Sequence, residues 1–578
     1  MDSFIILCFF SATIITAQTI PFQYGWPRAG STDFGLYNSS PTIADIDNDG
    51  IYEVSVMENI VTSGSGPMLS CFNLNGSFQA GFPAYITFGS LQSSGSNEIS
   101  AMGDVNGDGK MEIVFGDENG RVFAFGSDGQ QIPGSPFNAG STKETTTPAL
   151  VDLTKDSILE IIITSYERDS PEDNGQLHVL TYKGGQFEEL PGFPMNFGLG
   201  SKSSPVAGDL DGDDDYEIVF ISNGNLGQRI YSQIHAIEID GTYLPGFPLN
   251  MAMSSLGSTP TLYDINSDGK LEIVLRAMPE NPNINGIYAY DYQGNLLPQF
   301  PFPIESGHPD ANVAIADMDG DSLPEFAFGS VRAVDSGKVW VWDLQGNLLK
   351  NYPQKVFATW VDGSVALADV SGDSLPDVIA PTNDGLMYAF DKDGQLVSGF
   401  PLEAENVYVV KGFNTSPTVV DIDNDGDIEI FAGSLNKRVY GWDTPGISNK
   451  NIWSTFKGNA QRTGGQLIGY REPTGVKNNN YKPDNYVLEQ NYPNPFNPLT
   501  KIRYSIPSVE THGGASQQNV MLKVYDVLGS EIATLINEER APGVYEVEFD
   551  GSKLSSGIYF YILTAGSFKA VNKMILMR

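Results

Sequence analysis

The sequence predicts an all-β fold, made of repeated four-stranded units and a small β-sandwich at the end of the chain. Three observations support this fold class. The 578 residues include 62 Gly and 35 Pro, with many short apolar runs and no long helical periodicity. A nine-residue acidic frame recurs along the chain. A segment of different composition follows the last copy of the frame. We therefore interpret the chain as a repeat array with an appended domain.

Residues 1–17, MDSFIILCFFSATIITA, are expected to be a secretory signal peptide. They carry an apolar core of about ten residues and end in a small residue before Gln18, although Asp2 replaces the usual basic residue. Cleavage after residue 17 removes Cys8 and leaves Cys71 alone, so no intrachain disulfide is expected. No later segment is apolar enough to predict a transmembrane span. The net charge of −38 argues against nucleic acid as a partner.

The acidic frame occurs eight times, at start-to-start intervals of 48 to 59 residues. Positions 1 and 5 are always Asp, position 3 is Asp, Asn, Thr or Ser, and position 9 is Glu or Asp. We number the copies loop 1 to loop 8. They are DIDNDGIYE (45–53), DVNGDGKME (104–112), DLTKDSILE (152–160), DLDGDDDYE (209–217), DINSDGKLE (264–272), DMDGDSLPE (317–325), DVSGDSLPD (369–377) and DIDNDGDIE (421–429).

This spacing of oxygen atoms suits calcium, which takes about six to eight oxygen ligands. Side chains at positions 1, 3 and 5 can converge on one point, the carbonyl of position 7 adds an oxygen, and the acid at position 9 closes the shell. The alternative is a set of merely acidic turns, and the copies with Thr154 and Ser371 at position 3 are the weakest candidates. An EF-hand is excluded because position 12 is Val56 in the first copy and Phe115 in the second.

The predicted ligands of up to eight structural Ca²⁺ ions are positions 1, 3, 5, 7 and 9 of each loop. In loops 1 to 4 they are Asp45, Asp47, Asp49, Ile51, Glu53, Asp104, Asn106, Asp108, Lys110, Glu112, Asp152, Thr154, Asp156, Ile158, Glu160, Asp209, Asp211, Asp213, Asp215 and Glu217. In loops 5 to 8 they are Asp264, Asn266, Asp268, Lys270, Glu272, Asp317, Asp319, Asp321, Leu323, Glu325, Asp369, Ser371, Asp373, Leu375, Asp377, Asp421, Asp423, Asp425, Asp427 and Glu429.

Position 6 is expected to be a left-handed turn residue. It is glycine in four loops, which suits that conformation. The other four copies carry Ser157, Asp214, Ser322 and Ser374 there, a departure expected to weaken those loops.

Each loop lies between two short apolar segments, and two more follow it. The third segment ends in a polar turn with glycine, as in RVFAFGSDG (121–129), and the fourth ends near Gly-Phe-Pro, as at 81–83 and 192–194. Four short strands in about 54 residues predict one blade of a β-propeller. A Gly-Trp-Pro at 25–27 precedes loop 1, so the N-terminal strand is expected to complete the last blade. Eight blades are expected, with seven as the alternative.

These loops and blades resemble the FG-GAP/VCBS repeat family, over residues 18–466. The resemblance implies an integrin-type propeller that carries calcium in the same hairpin loop. The segment GNAQRTG (458–464) is also similar to the way such propellers end.

Residues 467–483 are polar and are expected to be a linker, and residues 484–578 are expected to form a small Ig-like β-sandwich. NYPNPFNP, VYDVLG and LSSGIYFY in this last segment closely resemble the type A sorting domain of the type IX secretion system. The resemblance implies a Bacteroidetes-type Gram-negative bacterium, the secretion machinery as a partner of 484–578, and attachment to the outer-membrane surface or release. An ordinary terminal Ig-like module is the alternative.

No catalytic residue is predicted. The four histidines (His178, His235, His308 and His512) share no metal-binding spacing, and no H-E-x-x-H, C-x-x-C, G-x-S-x-G or P-loop occurs. His178 and His235 are expected to be packing residues. The aromatic strand around Trp340 and Trp342, with Trp442, Tyr288 and Tyr290, favours core packing over an exposed glycan platform.

The predicted function is that of an exported, calcium-binding, non-catalytic module for surface binding or adhesion, with an extracellular glycan or protein ligand. One alternative is a secreted pectin-type lyase built on the propeller, since some such lyases resemble this architecture and bind calcium. The other is a structural surface scaffold without a ligand of its own. A cleft where basic, tyrosine and histidine side chains converge would favour the lyase.

Overall fold

A computed structural model describes residues 20–464 and 487–576 with gaps, so the predicted signal peptide and linker lie outside the described residues. The gaps are at 24, 30–38, 59–67, 87–98, 141–142, 168–173, 202, 226–229, 252, 255–258, 280–283, 305–311, 331–336, 357–359, 362, 406–411, 424, 448–452, 489–490, 492–495, 497, 507–509, 512–513, 516–517, 528, 541–542 and 567. The chain divides into two compact units, 1–470 and 471–578. All regular elements of the described part are β-strands, which confirms the all-β class.

The first unit contains successive antiparallel sheets, which we number in chain order. Sheet 1 consists of Thr42–Ala44, Glu53–Glu58, Met68–Phe72 and Ala84–Tyr85. Sheet 2 consists of Ala101–Gly103, Glu112–Gly116, Arg121–Phe125 and Phe137–Asn138. Sheet 3 consists of Ala149–Val151, Glu160–Glu167, Gln176–Lys183 and Met195–Asn196, with Lys143–Thr145 and Gln186–Glu189 added to it. Sheet 4 consists of Val206–Gly208, Glu217–Asn225, Ile230–Ile237 and Leu249–Met251.

The remaining sheets of this unit follow the same plan. Sheet 5 consists of Thr261–Tyr263, Glu272–Pro279, Gly286–Tyr290 and Phe302–Pro303, with Met253–Ser254 added to it. Sheet 6 consists of Ala314–Ala316, Glu325–Gly329, Lys338–Trp342 and Gln354–Lys355. Sheet 7 consists of Ala366–Ala368, Asp377–Pro381, Leu386–Phe390 and Leu402–Glu403. Sheet 8 consists of Thr418–Val420, Ile428–Ser434, Arg438–Thr444 and the N-terminal Arg28–Ala29.

The first strand of each numbered sheet, as given above, is its inner strand. Inner strands contact each other between sheets 1 and 2, 2 and 3, 3 and 4, 4 and 5, 6 and 7, 7 and 8, and 8 and 1. Between sheets 5 and 6, the Thr261 hydroxyl donates to the Val313 carbonyl at 2.7 Å. Between sheets 8 and 1, the Thr418 hydroxyl donates to the Pro41 carbonyl at 2.6 Å. The inner strands thus follow one another around a circle that returns to its start.

Apolar cores fill the spaces between neighbouring sheets. The core between sheets 5 and 6, for example, contains Phe302, Phe326 and Trp342, and each has less than 8% of its surface exposed. Equivalent cores lie between each of the other neighbouring pairs. Both faces of every sheet are therefore buried, which explains why the second and third strands are mostly apolar.

The N-terminal strand lies in sheet 8, as the sequence predicts. Arg28 is paired with Val439 and Ala29 with Arg438 in antiparallel register. The Trp26 ring packs between Phe72 of sheet 1 and Phe431 of sheet 8, with ring centroids 5.6 and 5.2 Å away. The first and last repeats are thereby joined through a shared apolar core.

The Gly-Phe-Pro ends of the repeats contact the polar turn of the next sheet. Gly81 has a φ of +90°, and a Cβ added to it would lie 1.8 Å from the carbonyl oxygen of Asp128. Asn351 takes the place of this glycine before Tyr352-Pro353, with a φ of +63°, and its side chain donates to the Asp393 carbonyl at 2.9 Å. The motif therefore marks a close approach between neighbouring sheets, which requires the left-handed backbone region.

The second unit is a separate pair of small sheets with its own core. One sheet contains Val487–Leu488, Leu499–Ile506 and Gly543–Asp550, and the other contains Glu531–Arg540, Gln518–Tyr525, Gly557–Ala565 and Phe568–Leu576. A short hairpin pairs Glu510–Thr511 with Gly514–Ala515. Tyr504, Leu522 and Tyr561 are among the buried residues that fill its core.

Candidate metal centres

The acidic loops connect the inner strand of each sheet to the second strand, so the fold places all of them at equivalent points. Loop 1, for instance, follows the strand Thr42–Ala44, and its position 9, Glu53, begins the strand Glu53–Glu58. The same acidic frame lies between the same two strands in every sheet, and this explains why the loop geometry recurs.

The acid at position 9 is buried and accepts a hydrogen bond from the backbone N–H of position 2 in every loop. In loop 1 the Ile46 amide donates to Glu53 Oε2 at 3.1 Å, and Glu53 is 2% exposed. The equivalent donor and acceptor pairs are Val105 and Glu112, Leu153 and Glu160, Leu210 and Glu217, Ile265 and Glu272, Met318 and Glu325, Val370 and Asp377, and Ile422 and Glu429. One oxygen of each position-9 acid is thus fixed in place.

The aspartates at positions 1 and 5 shape the turn. The Asp49 and Gly50 amides donate to the two carboxylate oxygens of Asp45 at 3.0 and 2.9 Å, and the Ile51 amide donates to Asp49 at 2.8 Å. Position 6 has a positive φ in all the loops, from +70° at Asp214 and Ser322 to +100° at Gly426. The left-handed turn predicted from the glycines is therefore also adopted where serine or aspartate replaces glycine.

Position 4 also has a positive φ, which the sequence analysis did not anticipate. The described examples are Asn48, Gly107, Lys155, Gly212, Ser267, Gly320 and Gly372, while position 4 of loop 8 is outside the described residues. The residue types at this position are mixed, although Gly and Asn recur. The recurrence of Gly and Asn at position 4 could have predicted this second left-handed turn.

Four loops bring several carboxylate oxygens within 4.8 Å of one another, a donor set that fits a hard cation. These groups are Asp45, Asp47 and Glu53; Asp209, Asp211 and Asp213; Asp317, Asp319 and Glu325; and Asp423, Asp425, Asp427 and Glu429. In the loop 8 group, Asp427 contributes a side-chain oxygen, although its position was assigned a backbone carbonyl from the sequence. In these four loops the other acidic residues among the predicted ligands lie outside the groups: Asp49, Asp215, Glu217, Asp321 and Asp421. The carboxylates of loops 2, 3, 5 and 7 form no such group among the described residues.

Burial raises the pKa of the position-9 acids well above the usual range of a carboxyl group. The pKa rises to about 7 for Glu160, Glu272 and Asp377, to about 8 for Glu112, Glu217 and Glu325, to about 9 for Glu53 and to about 10 for Glu429. Neighbouring aspartates in the same loop raise them further. A buried carboxylate in such surroundings favours either a proton or a cation.

Loop 8 is also linked to the N-terminal segment. Gln23 donates from Nε2 to Asp423 Oδ2 at 3.1 Å, and its own backbone amide donates to the Gly441 carbonyl at 2.9 Å. Burial and the adjacent Asp425 raise the pKa of Asp427 to about 9. Sequence reasoning missed Gln23 because it lies outside every copy of the acidic frame.

Neighbouring loops touch each other directly. The Leu159 amide of loop 3 donates to the Asp104 carbonyl of loop 2 at 3.0 Å, and the Leu271 amide of loop 5 donates to the Asp209 carbonyl of loop 4 at 3.3 Å. Lys155 of loop 3 forms an exposed ion pair with Asp215 of loop 4 at 2.5 Å. Loops 2 to 5 therefore form a connected series.

One histidine network has the order of groups found in hydrolase triads. Ser165 Oγ lies 2.9 Å from His178 Nε2, and His178 Nδ1 lies 2.6 Å from Glu189 Oε1. Ser165 is completely buried between strands, so its hydroxyl is closed to a substrate. The position of the serine therefore argues against a nucleophile.

Sheet 4 repeats this network without the carboxylate. Ser222 Oγ lies 2.8 Å from His235 Nε2, and His235 Nδ1 lies 2.9 Å from the Tyr243 hydroxyl. Burial lowers the pKa of His235 to about 3, so the ring is neutral at physiological pH. Both histidines are buried packing residues, as expected, while His308 and His512 lie outside the described residues.

The aromatic strand is also part of the core. Trp340, Trp342, Trp442, Tyr288 and Tyr290 are all buried, with 2 to 7% of their surface exposed. Trp340 stacks on Trp342 with ring centroids 6.3 Å apart. These rings therefore pack between sheets instead of forming an exposed platform for a glycan.

Comparisons with known families agree with this organisation. A profile of FG-GAP-like repeats matches residues 104–163 and 253–328, which contain loops 2, 3, 5 and 6. A profile of secretion system C-terminal sorting domains matches residues 490–577. The chain carries FG-GAP-like repeats and a type IX sorting domain. The sorting domain indicates an exported protein that interacts with the type IX secretion machinery.

The solved structures that resemble this chain share little sequence with it. An exo-β-1,3-galactanase from Phanerochaete chrysosporium is 10% identical, with a TM-score of 0.28 and coverage of 95% of this chain and 100% of the other. A chain in the S. cerevisiae Dbp5, Nup159 and Gle1 complex is 9% identical, with a TM-score of 0.33 and coverage of 75% and 97%. The plexin A4 extracellular region is 8% identical, with a TM-score of 0.30 and coverage of 96% and 53%. Such scores carry no argument about activity.

A comparison with curated proteins gives no match. Within the described residues, no helix has the length and apolar character needed to cross a membrane.

Proposed function

We propose that residues 18–466 form an eight-bladed, calcium-binding β-propeller and that residues 484–578 form an Ig-like β-sandwich. The circle of inner strands, the apolar cores between neighbouring sheets and the pairing of Arg28–Ala29 with the last repeat support this architecture. Each sheet then corresponds to one blade, and the ring closes without a free edge at the seam.

Calcium occupies the acidic loops in this proposal. The groups of carboxylate oxygens within 4.8 Å and the buried position-9 acids favour a cation, because they otherwise hold protons or repel one another. Positions 1, 3, 5 and 9 supply side chains, position 7 supplies its carbonyl, and Asp427 adds its carboxylate in loop 8. The ions neutralise the loops and stabilise the contact between inner and second strands.

The molecule functions as an exported, non-catalytic binding or adhesion module. One observation carries this proposal. In every sheet the position-9 acid accepts a hydrogen bond from the position-2 amide, so the repeated acids have a structural role in the loops. The one triad-like network of the described residues is buried at Ser165, which disfavours hydrolysis there. The broad faces of the ring are left for an extracellular glycan or protein ligand.

The sorting domain delivers this module across the outer membrane of a Bacteroidetes-type bacterium. The propeller then acts either attached to the cell surface or after release. Cell fractionation with an antibody to the propeller distinguishes these two destinations.

Calcium binding is tested by titrating the purified, chelator-treated chain in a calorimeter. We expect saturable binding of several ions, up to one for each acidic loop. Binding of less than one ion per chain at millimolar calcium contradicts the proposal.

The binding role is tested by passing the calcium-loaded chain over a panel of acidic and neutral polysaccharides while the absorbance of unsaturated uronate products is recorded. Retention without product formation is the expected result. A rising absorbance identifies a lyase and contradicts the non-catalytic role. If the chain is not retained and forms no product, protein ligands are tested next. If no protein ligand binds either, the scaffold function is the one supported.

A further inference from the structure

Residues 453–464, which we name the axial segment, lie inside the circle of inner strands. Carbonyls of this segment accept hydrogen bonds of 2.8 to 3.0 Å from inner-strand amides of six sheets. The carbonyl and amide pairs are Trp453 and Leu367, Ser454 and Val419, Ala460 and Met102, Gln461 and Leu150, Thr463 and Ala207, and Gly464 and Leu262. These bonds reach sheets 7, 8, 2, 3, 4 and 5.

The donors occupy the same place in every case. Leu367, for example, is the middle residue of Ala366–Ala368, and Met102 is the middle residue of Ala101–Gly103. The sheets are contacted in their order around the circle as the axial segment proceeds, from sheet 7 through sheet 8 and then from sheet 2 to sheet 5. The segment thus turns around the axis with the ring and covers the free edges of the inner strands.

Sheet 1, which lies between sheets 8 and 2, is contacted by the side chain of Arg462. Its side chain is fully buried, and all five N–H donors have partners at 2.7 to 3.1 Å. The partners are the Pro41 carbonyl and Thr42 hydroxyl of sheet 1, the Ser100 carbonyl beside sheet 2, and the Thr455 hydroxyl and Phe456 carbonyl of the axial segment. One guanidinium therefore joins the first two sheets to the segment.

Lys457 makes the corresponding contact on sheets 3 and 4. Its buried amino group donates to the Pro205 carbonyl at 2.7 Å and to the Thr147 carbonyl at 3.3 Å. Both carbonyls lie just before inner strands. Burial and the nearby Arg462 lower the pKa of Lys457 well below the usual range of a lysine. Two basic side chains buried in this way are costly to desolvate, so their positions are tightly specified by the groups that surround them.

The axial segment is also folded upon itself. The Gly464 amide donates to the Lys457 carbonyl at 3.0 Å, and Asn459 exchanges hydrogen bonds with Thr463 at 2.7 and 3.1 Å. A Cβ added to Gly464 would lie 2.1 Å from Val206 of sheet 4, so the segment fits closely against the inner strands.

We propose that the axial segment is the closing clasp of the ring: it follows the last repeat in the chain, fills the axis and holds the inner strands of successive sheets in place. The ring of sheets is therefore completed only when residues 453–464 have docked, and the axis is not a channel for a ligand. This inference depends on neither calcium nor the proposed binding role.

The test is hydrogen exchange, measured by mass spectrometry, on the full calcium-loaded chain and on Arg462→Ala. We expect exchange of the inner strands contacted by the axial segment to rise at least about tenfold in the variant, because the segment loosens and the amides that face the axis lose fixed acceptors. The sheets of residues 487–576 should exchange as in the wild type. Arg438→Ala, which removes a partly exposed arginine paired with Glu405, is the matched control and should leave the inner strands unchanged.

Arg462→Lys keeps the positive charge, but the lysine side chain has only about three N–H donors. It serves as the second variant where Arg462→Ala yields no folded protein. It should show faster exchange at the same inner strands, to a smaller extent. Exchange equal to that of the wild type in the inner strands of either folded variant overturns the proposal, as does equal acceleration in Arg438→Ala.

Discussion

The residue with the largest electrostatic effect in each acidic loop is the acid at position 9. Glu53 is buried, accepts the Ile46 amide and has a pKa raised by burial to about 9. Its charge is therefore unfavourable in the folded protein unless a cation is close. The same reasoning applies to the equivalent acid of every repeat, down to the shorter Asp377.

Replacing Glu53 with Gln should separate the two roles of this side chain. The amide oxygen of Gln can still accept the Ile46 N–H, while folding at pH 8 no longer requires the side chain to take up a proton. In the absence of calcium at pH 8, we expect Glu53→Gln to stabilise the protein by on the order of 1 kcal/mol. It should also reduce the number of calcium ions bound by one. Chemical denaturation and calorimetry measure these effects, with Glu188→Gln on an exposed strand as the control.

The raised pKa values predict an unusual pH dependence for the calcium-free protein. A raised pKa means that the folded state binds more protons than the unfolded state between pH 4.5 and the folded pKa, here about 7 to 10. The free energy of unfolding must therefore fall as the pH rises through this window. Denaturation midpoints measured in chelator from pH 5 to pH 9 should decrease; a midpoint that rises steadily with pH contradicts the assignment.

At the scale of structural elements, the repeat is defined as much by its contacts with the next repeat as by its own strands. Gly81 lies against the turn that contains Asp128, and Gly25 lies against Asn75 in the same way. The glycine, the aromatic residue and the proline of this motif are thus selected at a junction between two sheets.

Gly81→Ala should destabilise the ring by about 1–3 kcal/mol, because the new methyl group combines an unfavourable φ with a collision against the Asp128 carbonyl. Gly184→Ala is a matched control, since Gly184 has a φ of +63° but no atom within 4 Å of an added Cβ. Thermal unfolding should show the larger loss for Gly81→Ala. Equal losses mean that backbone conformation alone determines the requirement for glycine.

At the scale of the whole molecule, calcium should set the stability of the ring. Extracellular calcium sites with a Kd of about 10⁻⁴ M each contribute roughly 1.4 kcal/mol at about 1 mM calcium. Removing the ions from several loops should therefore lower the Tm of the first unit by tens of degrees. Calorimetric scans of the full chain with and without EDTA test this expectation, with the transition of residues 487–576 as internal reference; a shift of only a few degrees contradicts it.

Much of this organisation could be predicted because the same residue pattern is repeated along the sequence. Eight copies of one frame identified the loops, and the Trp26-Pro27 pair placed the N-terminal strand in the last sheet, as the pairing of Arg28 with Val439 confirms. Gln23, Lys457 and Arg462 could not be found in this way. Each occurs once, and each has at least one partner hundreds of residues away along the chain.

The position of the axial segment also determines how mechanical force enters the ring. The sorting domain follows Gly464 in the chain, so tension applied to that domain acts first on the bonds between the axial segment and the inner strands. Those bonds reach six sheets, so the axial segment leaves the axis only after acceptors have been withdrawn from the inner strands of all six. Tension on the tail is therefore opposed at the centre of the ring and not at the edge of one sheet.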